Sequence, residues 1–416
     1  MLKKLRIITG LLILSIGTIF NGHAQNSAES PFVLSVSYTG DFFGNISGGA
    51  EQGIRYLDNI DVNLEVNFDR LPFGLGGTTF YVYGLGNQGG SISELAGDMQ
   101  GISNIEAENS WRIFEVWAQK KFFLANSSIL VGLYDINSEF NVLNSSLLFL
   151  NSSHGLDPTI ALSGNLGPST FPYTSLAARL KVNPHAGWMV QAAVLDGVPS
   201  NPGDTRGTKV FLRESEGVFS IAEIGYHSLD SKGLQMRNRT NRLQNLLAPG
   251  IESSNKAAVG GWFYSVDKLA LGGNNSEMEY GVYAMGEYEL FRRPPDKKGP
   301  ESLAIFARIG LTNSSVSVLE NYFGAGFNVL GLIPQRNSDQ TGLAVAYASA
   351  GNEYINSKFI NGMRPAEAET NIEATHLFKI NGYAKLQANI QYIINPGFDA
   401  TLDHAFVVGA RMILGF

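Results

Sequence analysis

Residues 57–71 read LDNIDVNLEVNFDRL. From Asp61 onward, Asp61, Asn63, Glu65, Asn67 and Asp69 fall on one parity, and Val62, Leu64, Val66 and Phe68 on the other. A period of two makes a strand with two unlike faces. One face here is oily; the other carries three carboxylates and two amides. A soluble sandwich would turn the polar face to water and the oily face to a core. A barrel in a membrane would turn the oily face to lipid and the polar face to a wet lumen.

The pattern recurs. Phe32–Thr39 sets Phe32, Leu34, Val36 and Tyr38 against Val33, Ser35, Ser37 and Thr39. Tyr383, Lys385, Gln387, Asn389 and Gln391 oppose Ala384, Leu386, Ala388, Ile390 and Tyr392. Leu176, Ala178, Leu180 and Val182 oppose Arg179 and Lys181. Leu303, Ile305, Ala307 and Ile309 oppose Arg308, and in the last strand Phe406 to Phe416 alternate against Arg411. Strands are expected near 32–39, 60–69, 78–86, 111–122, 129–136, 174–183, 188–196, 218–227, 257–266, 279–290, 302–311, 321–330, 341–349, 369–380, 383–394 and 404–416. That is an even number, as single-chain bacterial barrels require.

Tight links such as Asn183–Gly187 and Ile380–Gly382 alternate with long ones such as Asn137–Tyr173 and Gly351–Ala368. Ser228–Lys256 breaks this alternation and reads as a short helix or a missed strand pair. A sandwich of so many strands would need large apolar residues on every inward face. Here the oily faces mix Ala, Leu, Val and aromatics, while charge recurs on the opposite faces. The expected fold is therefore all-β: a transmembrane antiparallel β-barrel of about 16 strands, with short periplasmic turns and long extracellular loops. The chain ends on Phe416, where outer-membrane proteins commonly carry an aromatic residue.

The first residues bear on compartment. Lys3, Lys4 and Arg6 precede an apolar run from Ile7 to Phe20, and Gly22 and Ala24 stand where a signal peptidase needs small side chains. Residues 1–24 are expected to be a secretory signal and 25–416 the outer-membrane barrel domain. The competing reading, a single membrane anchor, meets a run that is short for a span. Three of the 30 Lys and Arg lie in the signal, leaving 27 bases against 37 acids. An acidic chain argues against a nucleic-acid partner. The absence of cysteine excludes a lipoprotein anchor and thiolate chemistry and fits a bacterial envelope. The 47 glycines, 25 phenylalanines and 16 tyrosines suit turns and aromatic girdles.

Motifs for chemistry are weak. Gly84-Leu-Gly-Asn-Gln-Gly89 fits G-x-G-x-x-G but lacks a βαβ context, and reads as a glycine-rich loop. The six histidines, His154 and His404 among them, show no metal-ligand spacing and no compelling serine partner. No catalytic, cofactor-binding or metal-binding residue is assigned. In WRIFEVWAQKKFF, Trp111, Ile113, Glu115, Trp117 and Gln119 read as one face. An acid beside a tryptophan can offer a sugar hydrogen bonds and an aromatic plane. The alternative places Trp111 and Trp117 in girdles at the membrane surface. Glu115 belongs in the lumen, since a charge facing lipid costs several kcal/mol.

Several ordered segments resemble the carbohydrate-selective porin family, the OprB type. They are YTGDFFGNISGG (38–49), FEVWAQKKFF (114–123), VGLYDINSEF (131–140), FLNSSHGLDP (149–158), FPYTSLAARLKVNPHAGWMVQAAVLDGVP (171–199) and LQANIQYIINPGFDATLDHAFVVGARMILGF (386–416). The resemblance spans almost the whole mature chain and is weakest across Ser228–Lys256. It implies a sixteen-stranded barrel in the outer membrane of a Gram-negative bacterium, passing glucose-like monosaccharides by facilitated diffusion with no cofactor. Its lumen charges match Glu115 and Arg179 here; Arg308 and Arg411 join them from parity alone, and Trp117 completes the expected pore-lining set. Small sugars and outer-membrane lipid are the expected partners. Monomer and trimer stay open, with the monomer favoured. Rival readings are a general or weakly ion-selective diffusion porin of the same fold and, in another class, an outer-membrane enzyme. The connection Asn137–Tyr173, with Leu147, Leu148, Phe149 and Leu150, is expected to narrow the pore.

Overall fold

The computed structural model describes residues 30–122, 126–228, 255–273, 275–293, 300–360 and 364–415. The expected signal, Phe416 and most of Ser228–Lys256 lie outside the described residues. Strands β1 (Phe32–Ser47), β2 (Gly53–Asn67), β3 (Thr78–Gly89), β4 (Ser110–Lys121), β5 (Ser128–Tyr134), β6 (Ser175–Val182), β7 (Trp188–Asp196), β8 (Val218–His227) and β9 (Lys256–Tyr264) form the first part of the wall. A short two-stranded ladder, β10 (Lys268–Leu269) and β11 (Ser276–Glu277), interrupts the run. The wall then continues through β12 (Tyr280–Arg292), β13 (Ser302–Thr312), β14 (Leu319–Leu330), β15 (Gln340–Ala350), β16 (Ala368–Lys379), β17 (Ala384–Ile394) and β18 (Ala405–Gly415). The sixteen wall strands pair antiparallel with their neighbours, and β1 closes the barrel on β18 from Ser37↔Gly415 to Ser47↔Phe406. Every expected strand is present. Among the described residues no helix is long and apolar enough to cross a membrane; closure pairs the backbone around the ring instead.

Faces follow the period. On β2, Val62 is 39 % exposed on the outside and Asp61 only 7 % on the inside. Closing turns such as 183–187 and 380–383 gather at one end of the barrel, with the long connections 90–109, 135–174, 197–217 and 351–367 at the other. At the tight end, the Asn381 side chain accepts from the Tyr383 and Ala384 amides, which fixes the β16–β17 hairpin.

Three expectations need correction. Tyr83 pairs with Glu115 and Gly84 with Ile113, so Phe114 has no residue opposite. This bulge switches parity within β4. Trp111 and Ile113 face outward, while Phe114, Glu115 and Trp117 are buried inside, so the five residues do not share one face. Beyond the bulge β5 no longer pairs with β4. The Thr208 hydroxyl instead covers that edge, accepting from Ile113 N at 2.6 Å and donating to Ile113 O at 3.0 Å. Second, Gly84–Gly89 is the end of β3 rather than a loop. Third, the inward faces do not all line a wet lumen: Phe219, Trp262, Tyr283 and Phe306 point inward and are buried.

Candidate functional site: the barrel lumen

Those inward aromatics are covered by the 135–174 connection, which folds into the barrel. Local caps shape it into short turns. Asp135 accepts from Asn137 N, Asn151 from Ser153 N, and Asp157 from Thr159 N with Pro158 at the helix start. The turns present Leu143, Leu148, Phe149, Leu156 and Ile160 to the wall, in one apolar cluster with Phe219, Trp262, Tyr283 and Phe306. Burial of each such side chain is worth roughly 1.5–3 kcal/mol as an upper figure. Of the expected apolar run, Leu148, Phe149 and Leu150 are buried, and Leu147 remains exposed.

A backbone folded into a closed space must find partners for its amides and carbonyls. Wall carboxylates take the amides. Glu223 accepts from Asn141 N at 2.8 Å, and Glu287 from both Ser145 N and Ser145 Oγ at 2.8 Å. Glu373 accepts from Leu150 N at 2.7 Å and Asn151 N at 2.9 Å. Wall cations take the carbonyls: Arg308 donates to Asn141 O at 2.7 Å and Ser153 O at 3.2 Å, and Lys256 Nζ to Val142 O at 2.6 Å. Charge-assisted bonds of this kind are about twice as strong as neutral ones.

A second segment, 90–109, also folds inward, beyond what the sequence leads one to expect. Glu369 accepts from Met99 N at 2.8 Å, Gln100 N at 3.1 Å and Gly397 N at 2.6 Å. The two segments join inside the lumen through Asn104 N to Leu150 O and Ser152 N to Gly101 O, both 2.8 Å. The signal was available, because Ile92, Leu95, Ile102 and Ile105 are apolar residues in a supposed exterior loop, and all four are buried.

All five expected pore residues face inward, but they do not form one cluster. Glu115 accepts from Asp135 N at 3.1 Å. Trp117 stacks on Tyr81 with ring centroids 4.9 Å apart. Arg179 binds Glu139 of the inward segment at 2.8 Å and Gln119 at 2.6 Å. Arg308 holds the segment's carbonyls, and Arg411 pairs with Asp41 at 2.7 Å and reaches Asn104 at 2.8 Å. His154 lies between Phe149 and Phe306, with burial first and Arg308 second lowering its pKa to about 3.

The closed barrel has counterparts. A family model, carbohydrate-selective porin, OprB family, matches residues 51–416. The chain belongs to that family. Porin B of Pseudomonas aeruginosa is 20% identical over 435 residues, covering 94% of this chain and 89% of that protein. The high-pH structure of Pseudomonas putida OprB matches with a TM-score of 0.79 at 18% identity, covering 95% of this chain and 97% of that one. The outer-membrane channel DcaP of Acinetobacter baumannii matches with a TM-score of 0.52 at 11% identity, covering 94% and 99%. At these identities the structural likeness speaks for the fold, and the family carries the function. The chain is a carbohydrate porin of a Gram-negative outer membrane.

Proposed function

We propose that this porin passes glucose-sized neutral sugars by facilitated diffusion and without chemistry, with one chain as the working unit. The observation that carries the reading is the pair of segments fixed across the interior of a closed barrel by wall carboxylates. A lumen narrowed by fixed parts sorts solutes by width, wall charge and hydrogen bonding. Both segments come from the same chain as the wall, so each barrel holds a whole constriction. Glu115, Trp117, Arg179, Arg308 and Arg411 are only 1–6 % exposed. Their role in this reading is to position the constriction; contact with sugar falls to other residues.

Liposome swelling with a panel of solutes is the test. Monosaccharides are expected to enter faster than amino acids of similar size. Equal rates would favour the general diffusion porin, which the mixture of acids and bases on the inner wall also permits. Cross-linking in mild detergent is expected to leave the chain a monomer, and a trimer ladder would remove that part of the reading.

A further inference from the structure

The inward segments rest on much of the inner wall but leave part of β1–β3 to itself. The inner face of β2 carries Asn59, Asp61, Asn63, Glu65 and Asn67, two residues apart. Strand geometry sets these rungs about 6.6 Å apart, a distance comparable with the span of a hexose. The hydrogen bonds of the first three stay within the wall. Asp61 accepts from Ser37 Oγ and Asn59 Nδ2 at 2.8 Å, and from the Tyr83 hydroxyl. Asn63 Oδ1 accepts from the Tyr81 hydroxyl at 2.6 Å. The carboxylates that hold the inward segments behave differently. Glu223, Glu287, Glu369 and Glu373 are 0–4 % exposed, whereas Asp61 and Asn63 keep 7 % and Glu65 and Asn67 are half-buried. Asp61 pairs with Ser37, four residues along β1 from the Asp41 that anchors Arg411, on the side of the short turns. Accessibility rises along β2 from there towards the tight-turn end.

Two polar atoms beside this row have no partner. Ser35 lies directly opposite Asn63 in the β1–β2 register, and its buried Oγ is unpaired. Asn87 lies opposite Asn59, and its buried Oδ1 is unpaired, although its Nδ2 donates to Asn59 Oδ1 at 3.1 Å and to Ile105 O of the inward segment at 3.4 Å, so it lies under the constriction. A buried unpaired polar group costs about 1–3 kcal/mol, so such groups in a native wall mark places for water or ligand.

We propose that the inner face of β2 from Asp61 to Asn67, with Ser35 beside it, is the track along which a neutral, hydroxyl-rich solute leaves the constriction for the periplasm. This deepens the sugar-porin reading and rests on it. Amides both donate and accept, as sugar hydroxyls do. A regular spacing lets a solute gain one rung as it releases another, so no rung becomes a trap. Asp61 and Glu65 add a field that opposes anionic sugars such as sugar acids.

The chain has no cysteine, so Ser35→Cys and Asn63→Cys each introduce a single thiol. A small water-soluble thiol reagent is expected to modify both, and glucose to slow the modification more than gluconate does. In vesicles, Asn63→Leu is expected to lower glucose uptake about fivefold, the worth of one hydrogen bond, while potassium chloride conductance changes far less. Asp61→Asn combined with Glu65→Gln is expected to raise gluconate uptake relative to glucose. Equal losses of glucose uptake and conductance in Asn63→Leu, or thiol modification indifferent to glucose, would overturn the track. Ser35→Ala, which removes only a hydroxyl, repeats the glucose comparison should the leucine variant lose its heat-modifiable fold. Wild-type vesicles separate the two levels: no glucose uptake there would remove the sugar-porin reading along with the track.

Discussion

Two parts of one inner wall use the same residue types differently. On β8, β12 and β16, Glu223, Glu287 and Glu373 accept from backbone amides of a segment far away in sequence. On β2, Asp61 accepts from side chains of its own and neighbouring strands. Strand period and parity are the same in both places. What differs is whether a folded-in segment supplies the donors. An inward carboxylate is therefore a latch or part of the channel wall according to what lies opposite it, and its own strand does not decide which.

The largest expected effect comes from breaking the latches. In the triple variant Glu223→Ala, Glu287→Ala and Glu373→Ala, the amides of Asn141, Ser145, Leu150 and Asn151 lose their acceptors. Each amide left buried and unpaired costs about 1–3 kcal/mol, which favours release of the segment over retention. Single-channel conductance in planar bilayers is expected to rise severalfold, while the barrel stays heat-modifiable because its ladders are untouched. Conductance equal to wild type would mean that the apolar cluster around Phe149, with Arg308 and Lys256 on the segment's carbonyls, holds the segment without these carboxylates.

Arg308→Met should have a smaller effect of the same kind. It keeps an apolar stem but removes the donor to Asn141 O and Ser153 O. The Tyr322 hydroxyl still reaches Ser153 O at 2.9 Å, so that carbonyl keeps one donor, and the carboxylate latches stay in place. A loss of about 2 kcal/mol is expected, in line with hydrogen bonds to charged groups. It should read as current flicker between wild-type and raised levels rather than as a permanently open channel. Steady wild-type current would show that the segment's carbonyls do not need the guanidinium.

The contrast also explains what the sequence disclosed. Strands were legible because a two-faced wall imposes a period of two on every residue that crosses it. The bulge at Phe114 leaves a weaker mark: in WRIFEVW the apolar pairs Ile113–Phe114 and Val116–Trp117 break the alternation, but an apolar pair does not say which strand carries an extra residue. The inward fold of 135–174 was legible from Leu148 and Phe149, apolar residues with no reason to face water. Ile92 and Leu95 carry the same signal in 90–109. The latches were illegible for a different reason: Glu373 and Leu150 stand 223 residues apart, and only the closed barrel brings them together. The parity of Arg308 and Arg411 was correct, but parity names a face and not a partner.

The smallest expected effect sharpens the comparison from the other side. Ser37 is fully buried and is one of the donors to Asp61; Asn59 and the Tyr83 hydroxyl are the others. Ser37→Ala removes one donor and leaves the carboxylate with the remaining two. A loss near 1 kcal/mol in barrel stability is expected, the ordinary worth of one hydrogen bond, read as a modest drop in the temperature of heat modification. Conductance should stay at the wild-type level, because no bond from Ser37 reaches either inward segment. If Ser37→Ala opened the channel as the latch variants are expected to, Asp61 would be holding a segment as Glu373 does, and the two parts of the wall would be one.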